Sequence, residues 1–278
     1  MTVPVAMDWA KPADELIEDR LYRLGGVVPL DGRISWVPSH VRGYDPASCY
    51  LLREGDVGLL VDTGLRRNLE EVAAQLDAVA SDLRRLDVFL TRFEPDCLVN
   101  LDLVHRRYPI AAIYGGGVHN PFDIFENLAP ERVVESDFGV ELVRVAPGER
   151  IHLTDERYVD LLTTPVRVLP THMLHDPATG ALMTSDNFSE LHLRTIDEPR
   201  VAPAAEALGS EAALRDHVLT KFDWVASANG VALAERLDQQ LEGREIAILA
   251  PTHGRVATDR VPERIEQFKN VLVEIGAE

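Results

Sequence analysis

The sequence predicts an α/β protein made of two face-to-face mixed sheets with helices outside. Three features carry this expectation. The first half alternates buried-strand patterns with an amphipathic helix, a second β-rich stretch broken by Pro and Gly follows, and helical segments close each half. With 278 residues, 46% of them hydrophobic, the chain has ample material for a core. No repeat or Gly/Ser linker divides it, so a single domain over 1–278 is expected.

Taken in order, "RISWVPS" and "CYLLRE" read as strands, Gly55 and Asp56 supply a turn, and "VGLLVDTG" is a near-continuous apolar run ending in a loop. In "RRNLEEVAAQLDAVASDL", residues Leu69, Val72, Ala73, Leu76, Val79 and Ala80 recur at three- and four-residue steps, which predicts a helix. "LDVFLT" is the next buried strand, followed by a helix through "LVNLDLVHRRYP" and a strand at "AAIYGG". This βαβαβ progression favours parallel pairing, with ligands bound beyond the strands' carboxyl ends. "ELVRVAPGERIHL", "YVDLLTTPVRVLP" and "GALMTSD" predict the second sheet. Helices at about 209–241, a strand in "IAILAPTHG" and a last helix from Val261 complete the chain.

Charge narrows the partners. A net charge of −18 and an absence of Lys/Arg clusters argue against nucleic acid and anionic membrane surfaces. No run is apolar for long enough to span a bilayer, and the first residues turn acidic where a secretion signal needs its apolar core, so a cytoplasmic location is expected. Two cysteines are too few for a disulfide scaffold. Cys49 reads as a small core residue, whereas Cys97 has polar neighbours that could bind metal.

Residues able to hold a metal gather after the apolar runs: Glu94, Asp96 and Cys97 in "TRFEPDC", His172 and His175 in "PTHMLHDP", Asp186 in "MTSDNF", and His253 in "APTHGR". Oxygen and imidazole donors held on separate strands are the inventory a divalent ion requires. Taken singly, each has a plainer role: Asp96 as a helix N-cap, Asp186 in an Asx turn, Arg92 in an ion pair, His253 as a packed histidine. His40, His105, His119, His152, His192 and His217 belong to no motif and read as surface or packing residues.

Those stretches, with "SCYLLREGDVGLLVDTG", make the chain resemble the metallo-β-lactamase superfamily over nearly its whole length, and so imply an αββα sandwich. Glu94, at the second position of the signature, resembles the flavodiiron and oxygen-binding di-iron branch. The resemblance implies metal roles for Glu94, Asp96, His175, Asp186 and His253, with Asp62 as a supporting aspartate and His172 competing with His175. Two positions depart from the pattern, since Arg92 stands where the first histidine belongs and Cys97 at the fourth position. A guanidinium cannot ligate a cation, so at most one tightly held ion is expected, bound by Asp96, Cys97, Asp186 and His253.

The expected function is hydrolysis of a small molecule, such as an ester, ether or lactone, by the hydroxide of one Zn2+ (alternatively Fe), with Asp96 and Arg92 in catalytic roles. Two alternatives stand beside it: a non-catalytic partner subunit with an eroded site, and an oxygen-binding di-iron protein. Phe122, Ile124 and Phe125 suggest a lid or an interface, and hence a homo- or hetero-oligomer with another chain of this fold.

Overall fold

The computed structural model describes residues 11–108, 110–116, 121 and 139–277. Phe122, Ile124, Phe125 and His119 lie outside them. The strands are β1 (Asp14–Ile17), β2 (Leu21–Leu24), β3 (Val27–Leu30), β4 (Gly43–Pro46), β5 (Cys49–Glu54), β6 (Val57–Val61), β7 (Arg85–Leu90), β8 (Ile110–Gly115) and β9 (Glu141–Arg144) in the first part of the chain. The later strands are β10 (Arg150–His152), β11 (Tyr158–Thr163), β12 (His172–Asp176), β13 (Ala181–Ser185) and β14 (Ile248–Pro251). The helices are α1 (Leu69–Ala80), α2 (Pro95–Leu98), α3 (Leu101–Arg107), α4 (Glu211–Lys221), α5 (Gly230–Leu241) and α6 (Val261–Ile275).

A seven-stranded sheet runs β1-β2-β5-β6-β7-β8-β9, a five-stranded sheet runs β10-β11-β12-β13-β14, and β3 pairs with β4 as a separate ribbon. The βαβαβ progression is present, because β6, β7 and β8 pair in parallel across the helical crossovers. Strand alternation explains the layers. On the inward faces Leu52, Leu59, Phe89, Leu161, Leu174, Met183 and Ala250 share one core between the sheets. Their neighbours point outward: Leu51, Leu60 and Val88 pack with Val72, Leu76, Leu98 and Leu101 of α1, α2 and α3. On the opposite side Leu162, Met173, Leu182 and Leu249 pack with Leu214, Leu237 and Phe268 of α4, α5 and α6. Both faces of the central strands are thus buried, which is why those strands read as continuous apolar runs, whereas the edge strands β1, β9 and β10 are largely exposed or half-buried.

Two expectations are corrected. "RISWVPS" is a loop, because Trp36 spends its indole on Asp45 and His253 rather than on a strand face. The "ELVR" strand, β9, joins the first sheet beside β8, so the second sheet begins only at β10. No described helix is long and apolar enough to cross a membrane.

Candidate metal centre

One edge of the sandwich collects the carboxyl ends of β6, β7, β13 and β14 together with the amino end of β12, which runs antiparallel to β13. Two of these strands end on strained residues: Asp62 and Ser185 have φ of 62° and 54°. A non-glycine side chain rarely adopts such a backbone, and both residues face the cluster described next.

Arg92, two residues past β7, is the centre of that cluster and is fully buried. Its Nε donates to Glu94 Oε2 at 2.5 Å and its Nη1 to Ser185 Oγ at 2.7 Å. Its Nη2 donates to Asp96 and lies 2.9 Å from Asp186 Oδ1. Lys221 Nζ, from the end of α4, reaches the other Asp186 oxygen at 3.3 Å. Burial opposes the charge on Arg92, yet the carboxylates of Asp186 and Asp96 more than offset it and push its pKa further up. Burial would likewise raise Asp96, but Arg92 and the His253 hydrogen bond hold it well below the usual carboxylate range.

His253 completes the cluster. Its Nε2 lies 2.8 Å from Asp96 Oδ2 and its Nδ1 3.4 Å from Asp45 Oδ2, while its ring stacks on Trp36 with centroids 4.5 Å apart. Burial would lower its pKa, but the hydrogen bonds to Asp45 and Asp96 prevail and raise it to about 9. At neutral pH His253 is therefore an imidazolium, with Nε2 donating to Asp96 and Nδ1 facing the Asp45 carboxylate. Asp45, on β4, also accepts from Trp36 Nε1 at 2.9 Å, from the Gly254 amide at 3.0 Å, and contacts His192 Nδ1 at 3.0 Å.

Below these residues Asp62 supports the loop. It accepts from the Thr91 amide and hydroxyl, each at 2.8 Å, and from Thr252 Oγ1 at 3.3 Å. Burial raises its carboxyl to about 6 against the pull of Arg92.

Asp96, Asp186 and His253 each offer a ligand atom, all within 4.8 Å of one another. The other expected ligands are not part of that trio. Cys97 Sγ lies 3.8 Å from Asp96 Oδ1 and 3.6 Å from Thr91 Oγ1, and burial raises its pKa well above the ordinary thiol value despite Arg92, so it is a neutral thiol. Glu94 is turned toward solvent and tied to Arg92. His175 is the clear correction. It sits three residues along β12 from the site edge, about 10 Å at strand rise, and its Nε2 lies 3.2 Å from the Glu245 carbonyl. His172, the competitor, is the histidine at the edge: its amide donates to the Thr91 carbonyl at 3.0 Å. Gly116 makes room for it, since a Cβ there would lie 2.0 Å from the imidazole.

The donor set does not fit two metal ions. Arg92 is ion-paired with Glu94, Asp96 and Asp186, so its positive charge already stands where bridging ions would supply theirs. One ion at Asp96, Asp186 and His253 would have to displace the guanidinium and deprotonate the imidazolium. Asp45, Trp36, Lys221 and His192 were invisible as site residues in the sequence because none lies in a ligand motif, and Ser185, although beside Asp186 in "MTSDNF", is no metal ligand by type. The pairing of Trp36 with the strand-like "RISWVP" actively hid it.

No protein-family model matches the chain, and no curated protein matches it by sequence. Solved structures do match. Rubredoxin oxygen:oxidoreductase from Desulfovibrio gigas is similar with a TM-score of 0.68 and 15% identity, over 94% of this chain and 61% of that one. The flavodiiron core of Flv1 from Synechocystis is similar with a TM-score of 0.66 and 15% identity, over 95% of this chain and 62% of that one. A fragment of a putative diflavin flavoprotein from Nostoc gives a TM-score of 0.66 at 12% identity, over 96% and 98%. The chain spans about three-fifths of the length of the first two. The chain has the metallo-β-lactamase-like αββα fold of the flavodiiron proteins, with an arginine at the centre of the edge where its candidate ligands gather.

Proposed function

We propose that this chain is a flavodiiron-type domain whose own two-metal centre has been replaced by a fixed guanidinium, and that it works as a non-catalytic partner of a chain carrying the full ligand set. The observation that carries this reading is Arg92, fully buried and bonded to Glu94, Asp96, Asp186 and Ser185. A buried cation surrounded by three carboxylates meets the electrostatic need that ions would otherwise meet. Lys221 and protonated His253 add positive charge on the two sides of the same cluster. The similar structures bear the names of oxygen-acting and di-iron proteins rather than hydrolases. They favour an oxidoreductase setting, and a soluble cytoplasmic assembly of two chains of this fold is part of the proposal. Zinc-hydroxide hydrolysis, the first expectation from sequence, loses its support because Arg92, Lys221 and the His253 imidazolium already neutralise the Asp96 and Asp186 carboxylates that the ion would need.

Elemental analysis after expression with excess iron, and separately with excess zinc, tests the proposal. Iron and zinc well below one ion per chain, with unchanged melting in chelator, are expected. A stoichiometric ion that stabilises the fold would overturn it.

The convergence of Asp96, Asp186 and His253 within 4.8 Å favours a second reading, a single iron held by those residues. Such an ion would act as a Lewis acid or redox centre. The chain's own part would be to supply two carboxylates and one imidazole, oriented by Asp45 through His253 Nδ1. The same elemental analysis separates the two readings.

A further inference from the structure

On the far side of Asp45 lies a cavity of about 250 Å³ between the 38–42 loop, the 190–194 segment and α4, with room for several water molecules. Its buried wall includes His217, 2% exposed, neither of whose ring nitrogens has a hydrogen-bond partner among the described residues. The His192 ring stands opposite, 6.2 Å away between centroids, with its Nδ1 against Asp45. An imidazole buried with both nitrogens unpaired is costly unless something else meets them.

The charges around the cavity specify what that is. Glu190 is paired with Arg264 at 2.7 Å, Asp216 lies 3.8 Å from His40, and Arg194 is paired with Glu198 and Glu206 at 2.9 and 3.1 Å. Arg42 differs, because its guanidinium donates to the carbonyls of Ser39 and Val41 at 2.7 and 2.8 Å and has no carboxylate partner among the described residues. Arg42 is therefore the lining cation left free to meet an anion, while the exposed Asp216 faces only His40 among the described residues. Burial, with His192 adding to it, pushes the His217 pKa down to about 3, so the ring is neutral and offers one donor and one acceptor. A hydroxyl group is the complement of such a ring, since it too both donates and accepts.

We propose that this cavity binds a small hydroxycarboxylic acid, with its carboxylate at Arg42 and its hydroxyl on the His217 ring. The proposal is independent of whether the Arg92 cluster holds a metal. Through His192 and Asp45 the cavity connects with His253, so a bound acid would lie three side chains from the centre.

Histidine-detected NMR of the full chain, titrated with glycolate, lactate, glycerate and malate, tests it. Acetate and inorganic phosphate serve as comparators. At least one hydroxy acid should shift the His217 ring resonances saturably in the millimolar range, with acetate about tenfold weaker because it leaves the ring nitrogens unpaired. Arg42→Ala, an exposed position, should weaken binding about tenfold without affecting folding, and His217→Phe should abolish the saturable shift that a bound acid gives the facing His192 ring. A ring unaffected by every acid would mean ordered water only and would overturn the proposal. So would acetate matching glycolate, phosphate binding as well as the hydroxy acids, or an unchanged affinity in Arg42→Ala.

Discussion

Two arginines are buried at opposite ends of the sandwich, and they are used differently. Arg157 joins backbone: it donates to the carbonyls of Arg53 and Arg20 and pairs with Asp176 at 2.6 Å and Glu54 at 3.1 Å. Asp176 in turn orders the turn after β12 through Thr179 and Ala178. Among the described residues Arg92 donates to no backbone carbonyl. Every partner it has there is a side chain, and three of them are carboxylates. Arg157 fastens loops together, whereas Arg92 neutralises a charge cluster. The same side chain, equally buried, is a fastener in one place and a counter-ion in the other.

The widest separation between the two should come from removing each guanidinium. Arg92→Met leaves Asp96 and Asp186 buried without their counter-ion and should cost about 3–5 kcal/mol. Arg157→Met should cost a similar amount. Ferrous iron or zinc should restore part of the loss in Arg92→Met and none in Arg157→Met, as read by chemical denaturation with and without metal. Equal responses to metal would erase the distinction drawn above.

A pH series should show the next largest effect. The folded pKa of His217 is about 3 against an ordinary 6.5, so the unfolded chain binds the extra proton between those values. Its contribution to stability is therefore lost as pH falls from 6.5 toward 3, by at most about 1.4 kcal/mol per pH unit. Asp62, raised to about 6, has the opposite slope between 3.8 and 6. The comparison of wild type with His217→Phe isolates the histidine: the variant should lose less stability on acidification, and parallel curves would contradict the assignment.

Asp45→Asn comes third, at about 2 kcal/mol, because it removes the charge that Trp36, His192, His253 and the Gly254 amide share. It should also bring the His253 pKa down from about 9, measurable by histidine NMR. Glu94→Gln should have the smallest effect, below about 1 kcal/mol, since Glu94 is 35% exposed and its pairing with Arg92 is screened by solvent. A loss as large as that of Arg92→Met would show that Glu94 anchors the guanidinium rather than decorating it.

Much of the fold was legible in the sequence because burial on both faces leaves an unbroken apolar run. "CYLLRE" is β5 residue for residue, and the helix read at Leu69, Val72, Leu76 and Ala80 is α1. The strands from Asp14 to Leu30 were missed, being short and partly polar. At the site, sequence order pointed to Asp96, Asp186 and His253, which the fold brings within 4.8 Å, but it favoured His175 over His172. A strand's two-residue period places histidines three apart on opposite faces and about 10 Å apart, and which of them reaches the edge depends on where the strand begins.

By itself, then, the sequence determined the layered α/β architecture and the departure at Arg92, because apolar periodicity and residue chemistry are local properties. Tertiary structure alone decided that this arginine bonds Glu94, Asp96, Asp186 and Ser185 at once, that Cys97 remains a neutral thiol, and that Trp36, Asp45 and Lys221 join the cluster. The reason is physical: whether a charged group acts as ligand, counter-ion or fastener depends on its burial and on partners brought from distant strands.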